Sequence, residues 1–288
     1  MTSARATLAG LALALCMGCA AAAAPPVAIV TDLEGGAVLQ TGGAPRALAI
    51  LSELADGAEV RLEAGARLVA VSTSSGDEYR FAGPASIRFA RGAPQVLSGA
   101  APSARPGPLG KERDLRVPLA RTQQAGMLMR GVRVARPIAL RAPRAGGVTL
   151  QRAPRFAWAD AGEGLRYRFE LRDAADRRLH AITTPQTALR LPAAMQLEPG
   201  EAYRWTVQAQ ASDGALLKGE GRFRVATPAL RAEFERLRPP AQAPVATRVV
   251  FALWLEGEQL FDEAAKVWAA LSRARPADRN LSLRAGVQ

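Results

Sequence analysis

Two stretches of this chain alternate apolar and polar residues with a period of two. Leu165, Tyr167, Phe169 and Leu171 are interleaved with Arg166, Arg168, Glu170 and Arg172. Tyr203, Trp205, Val207 and Ala209 are interleaved with Arg204, Thr206, Gln208 and Gln210. A helix would scatter these apolar residues around its circumference, whereas a strand gathers them on one face. Each stretch therefore reads as a half-buried antiparallel strand. Phe156 and Trp158 supply an earlier strand of the same unit, and Phe223 and Val225 a later one. The 26 glycines and 20 prolines among 288 residues suit many short strands better than long helices. The expected fold class is mainly β: a small β domain, a β-sandwich and a short C-terminal α-helical hairpin.

Residue types restrict the chemistry. The two cysteines, Cys16 and Cys19, lie close to the start, and the one histidine is His180. Cys/His zinc sites, cysteine nucleophiles and haem-type ligation have almost nothing to be built from. His180 lies beside Leu179 and Ile182 on an expected edge strand, and no flanking motif offers it a nucleophile or acid. No cofactor, metal or catalytic residue is expected.

Arg5 followed by the apolar run Leu8–Leu15 and the small-residue stretch Ala20–Ala24 has the form of a signal peptide over residues 1–24. The run is far short of the ~20 residues that a spanning helix needs. Two alternatives remain open. One is ordinary cleavage within Gly18–Ala24. The other is lipidation at Cys19, which follows Gly18 as a lipobox requires, although Cys16 stands where Leu is usual. Either way the chain is expected in the periplasm or outside the cell, and not spanning a membrane.

The net charge of +12 is uneven. Residues 25–100 carry six basic and eight acidic side chains, whereas 101–150 carry ten basic and two acidic. Residues 101–141 thus read as a basic Pro/Gly/Arg-rich linker. Arg113, Arg116, Arg121, Arg130, Arg133 and Arg136 are its candidate contacts to an anionic surface, either a cell-wall polymer or lipid headgroups. A solvated linker in an arginine-biased chain would look the same. The stripe has no aromatic residue to stack on bases, so nucleic acid is not an expected partner.

Residues 25–100 read as short strands broken by glycine. An opening β-run leads into Glu34-Gly35. It is followed by Leu54-x-Asp56-Gly57-x-x-Val60, then Gly65-x-x-Leu68, and closes with Phe81-x-Gly83-Pro84-x-Ser86. Leu48–Leu54 fits either a strand or one helical turn. In these spacings the segment resembles the periplasmic domain of the FecR family. FecR regulators carry a cytoplasmic anti-sigma segment and a transmembrane helix ahead of this domain. The residues ahead of Pro25 read as a leader instead, so the resemblance implies the extracytoplasmic module and not transcriptional signalling.

Residues 142–227 carry Leu197-x-Pro199-Gly200-x-x-Tyr203-x-Trp205-x-Val207-x-Ala209, with Trp158 upstream. This looks like a fibronectin type III domain. The resemblance implies that Trp158 fills the core and that Tyr203 makes a corner hydrogen bond.

Thr227 before Pro228 is an N-cap followed by proline at the first helical position, which opens a helical tail over 228–288. Pro239-Pro240 ends the first helix. Residues 245–278 are similar to one tetratricopeptide repeat, with Ala252, Leu255, Ala264, Trp268, Leu271 and Pro276 on the pattern. Asp262 is the expected cap of its second helix. One repeat cannot bury its own apolar face. The hairpin either packs on the β domains or docks on another chain, through Phe251, Leu255, Trp268 and Leu271.

The leading expectation is a non-catalytic, exported cell-envelope scaffold or adaptor that binds another envelope protein. An envelope anchor held to anionic wall polymer or lipid by the basic linker is the alternative, and a carboxylate-based wall glycosidase is a remote third.

Overall fold

The structure is a computed structural model, and it describes residues 25–40, 44–107 and 136–286. The protein is mainly β. Its first unit contains β1 (Ala28–Glu34), β2 (Ala37–Gln40), β3 (Arg46–Ala47), β4 (Glu53–Leu54) and β5 (Glu59–Leu62), then β6 (Arg67–Ser72), β7 (Glu78–Ala82), β8 (Ala85–Arg88), β9 (Gln95–Ser98) and β10 (Ser103–Arg105). They form two five-stranded sheets, ordered β10-β7-β6-β1-β4 and β3-β2-β5-β8-β9. Val30, Leu54, Val60, Leu62, Leu68, Phe81 and Ile87 pack together as the core of this unit.

Leu48–Leu54 is neither of the expected forms throughout. A turn at Ile50-Leu51 precedes β4, and Leu51 takes a left-handed φ of 67°. The unit also extends past residue 100, because β10 pairs with β7. Glu78 is fully buried and is neutralised by Arg80 at 2.7 Å and Arg105 at 2.9 Å. That exchange gives the β10 extension its anchor, since a buried carboxylate needs paired donors. Gly83 is required for close approach: a Cβ there would lie 1.9 Å from the Glu63 carbonyl oxygen.

The second unit begins before the expected boundary at 142. It contains β11 (Arg136–Pro137), β12 (Leu140–Ala142), β13 (Gly147–Thr149), β14 (Arg155–Trp158), β15 (Tyr167–Asp173), β16 (Arg178–Thr184), β17 (Ala188–Arg190), β18 (Ala202–Gln210) and β19 (Leu216–Val225). One sheet runs β11-β19-β18-β15-β16, with β13 also pairing with β19, and the other runs β12-β14-β17. The period-two segments are β15 and β18, and their apolar residues face inward as expected. Phe156, Trp158, Phe169 and Trp205 interlock in the core, with Phe156 and Phe169 ring centres 4.8 Å apart. The Tyr203 hydroxyl accepts the Glu198 backbone N–H at 2.8 Å, a corner bond spanning five residues. Both aromatic roles implied for Trp158 and Tyr203 are present.

The tail contains α1 (Pro228–Leu237), α2 (Val245–Gly257), α3 (Phe261–Ala274) and α4 (Arg279–Ala285). Thr227 caps α1 as expected, its hydroxyl accepting the Leu230 N–H at 3.2 Å. Asp262 is not the cap of α3: it lies inside the first turn, and Leu260 holds the cap position without a side-chain bond. The fourth helix lies beyond the expected end of the hairpin. Asp278 caps it, accepting the Asn280 and Leu281 N–H groups.

The helices hold the two β units together. From Val249 to Leu255, α2 is buried all round, as a helix apolar on every face must be. Its apolar side chains form one cluster with Ile29, Ile50, Leu51 and Val71 of the first unit. This explains why Ala28–Thr31 is buried on both strand faces: one side meets the sandwich core, the other meets helix. On the other side, the α2–α3 turn meets β13. The Val148 N–H donates to the Gln259 carbonyl at 2.8 Å, and Arg144 pairs with Asp262 at 3.6 Å. Inside the tail, Glu256 accepts from Trp268 Nε1 and from Arg284, each at 2.9 Å, tying α2, α3 and α4. No helix among the described residues is long and apolar enough to cross a membrane.

Candidate interaction site

The sequence-derived candidates fall into three groups. Cys19 and five of the linker arginines, Arg113, Arg116, Arg121, Arg130 and Arg133, lie outside the described residues. Arg136 is described and is engaged: it sits on β11 beside β19 and donates to Asp213 at 2.7 Å.

The four hairpin residues need correction as docking candidates. Phe251, Leu255, Trp268 and Leu271 are all buried, at 5%, 0%, 1% and 0% exposure. They are consumed by the chain's own core, against Ile29, Val71 and the neighbouring helices. A helical pair that cannot bury its apolar face alone has found its cover within the chain.

The exposed apolar side chains lie elsewhere, and two of the five large ones among the described residues share a strand. Leu179 and Ile182 on β16 are 36% and 45% exposed. No residue of β16 is buried. One side of the strand pairs with β15 from Tyr167 to Arg172. Its other side pairs with no strand among the described residues. Phe169 and Leu171 of β15 are buried, whereas their partners Ile182 and His180 are exposed and half-buried respectively. The His180 ring lies 6.3 Å from that of Phe169. A surface hollow of about 710 Å³ adjoins the strand end, lined by Asp173, Arg177, Leu179, Met195, Glu198 and Tyr203 among others.

Such an edge offers free backbone donors and acceptors to an added strand, with flanking side chains to select it. The residues around His180 already place an edge strand here. Its exposure is not readable from the sequence, because it depends on how far the opposing three-stranded sheet reaches. The usable signal is that Arg178–Thr184 lacks the apolar/polar alternation of β15 and β18.

Three half-buried carboxyls lie away from this edge, in and around the helical tail. Burial pushes the carboxyls of Asp32, Glu256 and Asp262 above their ordinary range, opposed by Arg275, Arg284 and Arg144 respectively. Arg275 reaches Asp32 at 3.4 Å and Glu34 at 2.6 Å, bridging the α3 end to β1. Among the described residues, no three His, Cys, Asp or Glu side chains come together as metal ligands would.

No family model and no curated protein matches the chain. Several solved structures are similar in part. CopC from Methylosinus trichosporium OB3b is 19% identical over 32% of this chain and 95% of its own, with a TM-score of 0.25. The pectate lyase Pel3 from Pectobacterium carotovorum is 12% identical over 38% of this chain and 28% of its own, with a TM-score of 0.21. A chain of a cytokine receptor complex is 13% identical over 69% and 90%, with a TM-score of 0.23. Likeness this slight carries no argument about function.

Proposed function

We propose that this protein is a non-catalytic scaffold of the bacterial cell envelope, exported by its leader, that binds another envelope protein along the edge of β16. The observation that carries the reading is the pairing of a braced platform with an open edge. The helical tail fastens the two β units to each other, which limits the loss of freedom on binding. The seven-residue β16 is left uncovered, with Leu179 and Ile182 as its apolar contacts. A partner segment in extended form would add as a further strand and cover Ile182.

A photo-crosslinking residue at Thr183 in the envelope of the producing cells tests this. A discrete protein should be captured, and Ile182→Asp in the same chain should abolish that capture while leaving the melting curve intact. A folded, exported chain that captures nothing from Thr183 would sink the reading, as would capture indifferent to Ile182→Asp.

A further inference from the structure

Strand register brings four arginines into one row on the outer face of the second unit. Arg178 pairs with Arg172, Arg172 with Arg204, and Arg204 with Arg222, across β16, β15, β18 and β19. Adjacent strands are ~4.8 Å apart, so the row is roughly 14 Å long and runs across the strands. Like charges placed directly opposite each other destabilise a sheet. Two carboxylates relieve the middle of the row: Glu170 pairs with Arg172, and Asp176 with both Arg172 and Arg204. Among the described residues, Arg178 and Arg222 have no carboxylate within salt-bridge distance, and both are exposed. Arg168, Lys218 and Arg224 lie on the same face, and Glu220, paired with Lys218, also draws on the charges of Arg204 and Arg222 from a longer distance.

We propose that this face binds a linear acidic polysaccharide, laid along the row from Arg178 to Arg222. Planar guanidinium groups donate to carboxylates in two-point fashion, and a row of them suits a chain of such groups better than a single small anion. The face lacks what nucleic acid and a bilayer would use. It has no aromatic side chain to stack on bases. Leu216 stands six residues along β19 from Arg222, about 20 Å away, and Leu179, the residue after Arg178, lines the hollow with Met195 and Tyr203, so the row has no broad apolar patch to enter a bilayer. Arg178 belongs to β16, but the row lies on the outer face of the sheet, whereas a strand added at the β16 edge would lie in the sheet's plane.

The basic segment around residues 111–133 would also attract polyanions, so the test is run with its six Lys and Arg residues changed to Ser. In that full-length background, binding to alginate is measured by titration calorimetry at low and moderate salt, against neutral dextran. Alginate should bind, dextran should not, and Arg178→Ser with Arg222→Ser should weaken alginate at least tenfold without lowering the melting temperature. Absence of alginate binding, or binding unmoved by the double substitution, would overturn the proposal. So would equal, equally row-dependent binding to phosphatidylglycerol vesicles, which would make the face a lipid contact.

Discussion

The backbone N–H of Ile50 donates to Asp278 Oδ2 at 3.0 Å, joining residues 228 positions apart. The other carboxylate oxygen of Asp278 caps α4 through Asn280 and Leu281, and Asn280 Nδ2 donates to the Ile50 carbonyl at 2.8 Å. Both peptide groups at the turn before β4 are thereby satisfied by the start of one helix. Asp278→Ala should remove the cap and leave the Ile50 N–H without its acceptor. The expected loss is about 1–3 kcal/mol, read as a lower urea midpoint, with Asp278→Asn costing less. An unchanged midpoint would mean that this joint adds nothing to folding.

Removing everything after Thr227 should not give a smaller, well-behaved β protein. It would bare Ile29, Ile50, Leu51 and Val71, which the helices cover. The shortened chain should bind a hydrophobic dye and self-associate at micromolar concentration, where the full chain does neither. A monomeric truncation with an unaltered melting temperature would show that the helical cover is not part of the core.

Tyr203→Phe isolates the corner bond. The ring can keep its stacked contact with Phe223, at 5.6 Å between centres, while the Glu198 N–H loses its acceptor. The expected cost is about 1–2 kcal/mol by denaturant unfolding. A neutral result would mean that water replaces the hydroxyl without penalty.

Asp32 supplies a pH dependence of defined sign. Burial holds its carboxyl above the ordinary 3.8, and the Arg275 guanidinium offsets only part of this. Between 3.8 and that raised value the folded chain keeps a proton that the unfolded chain has released. Its contribution to stability therefore rises as pH falls through this window, and above the window the penalty is constant. Asp32→Asn removes the group, so the variant should lose ground to the parent as pH is lowered from 7 toward 4. Urea midpoints of both chains at several pH values test this. A gap that stays fixed, or moves in the variant's favour, would refute the sign.

The strands and caps set by local pattern were legible: β15 and β18 from their alternation, and α1 from Thr227-Pro228. What the sequence left open was settled by contacts between distant residues. Leu255 and Trp268 carry the apolar face of a helical hairpin, but nothing local says that Ile29 and Val71 will cover it. The run Val27–Val30 holds half that answer, since a strand apolar on both faces needs a second cover. Arg172, Arg204 and Arg222 each look like the solvent half of a strand, and only pairing register sets them side by side. Exposure of Ile182 likewise depends on the reach of a sheet formed by other segments.

The closure of the α2 cluster over Ile29 and Val71 also orders events in time. A ribosome releases β1 and β6 long before Val245–Leu255 exists. Over that interval the first unit has a sandwich core but one uncovered apolar flank. Contacts of such high sequence separation form slowly and leave sticky intermediates behind them. Until Val245–Leu255 has been made, the flank formed by Ile29 and Val71 has no cover of its own.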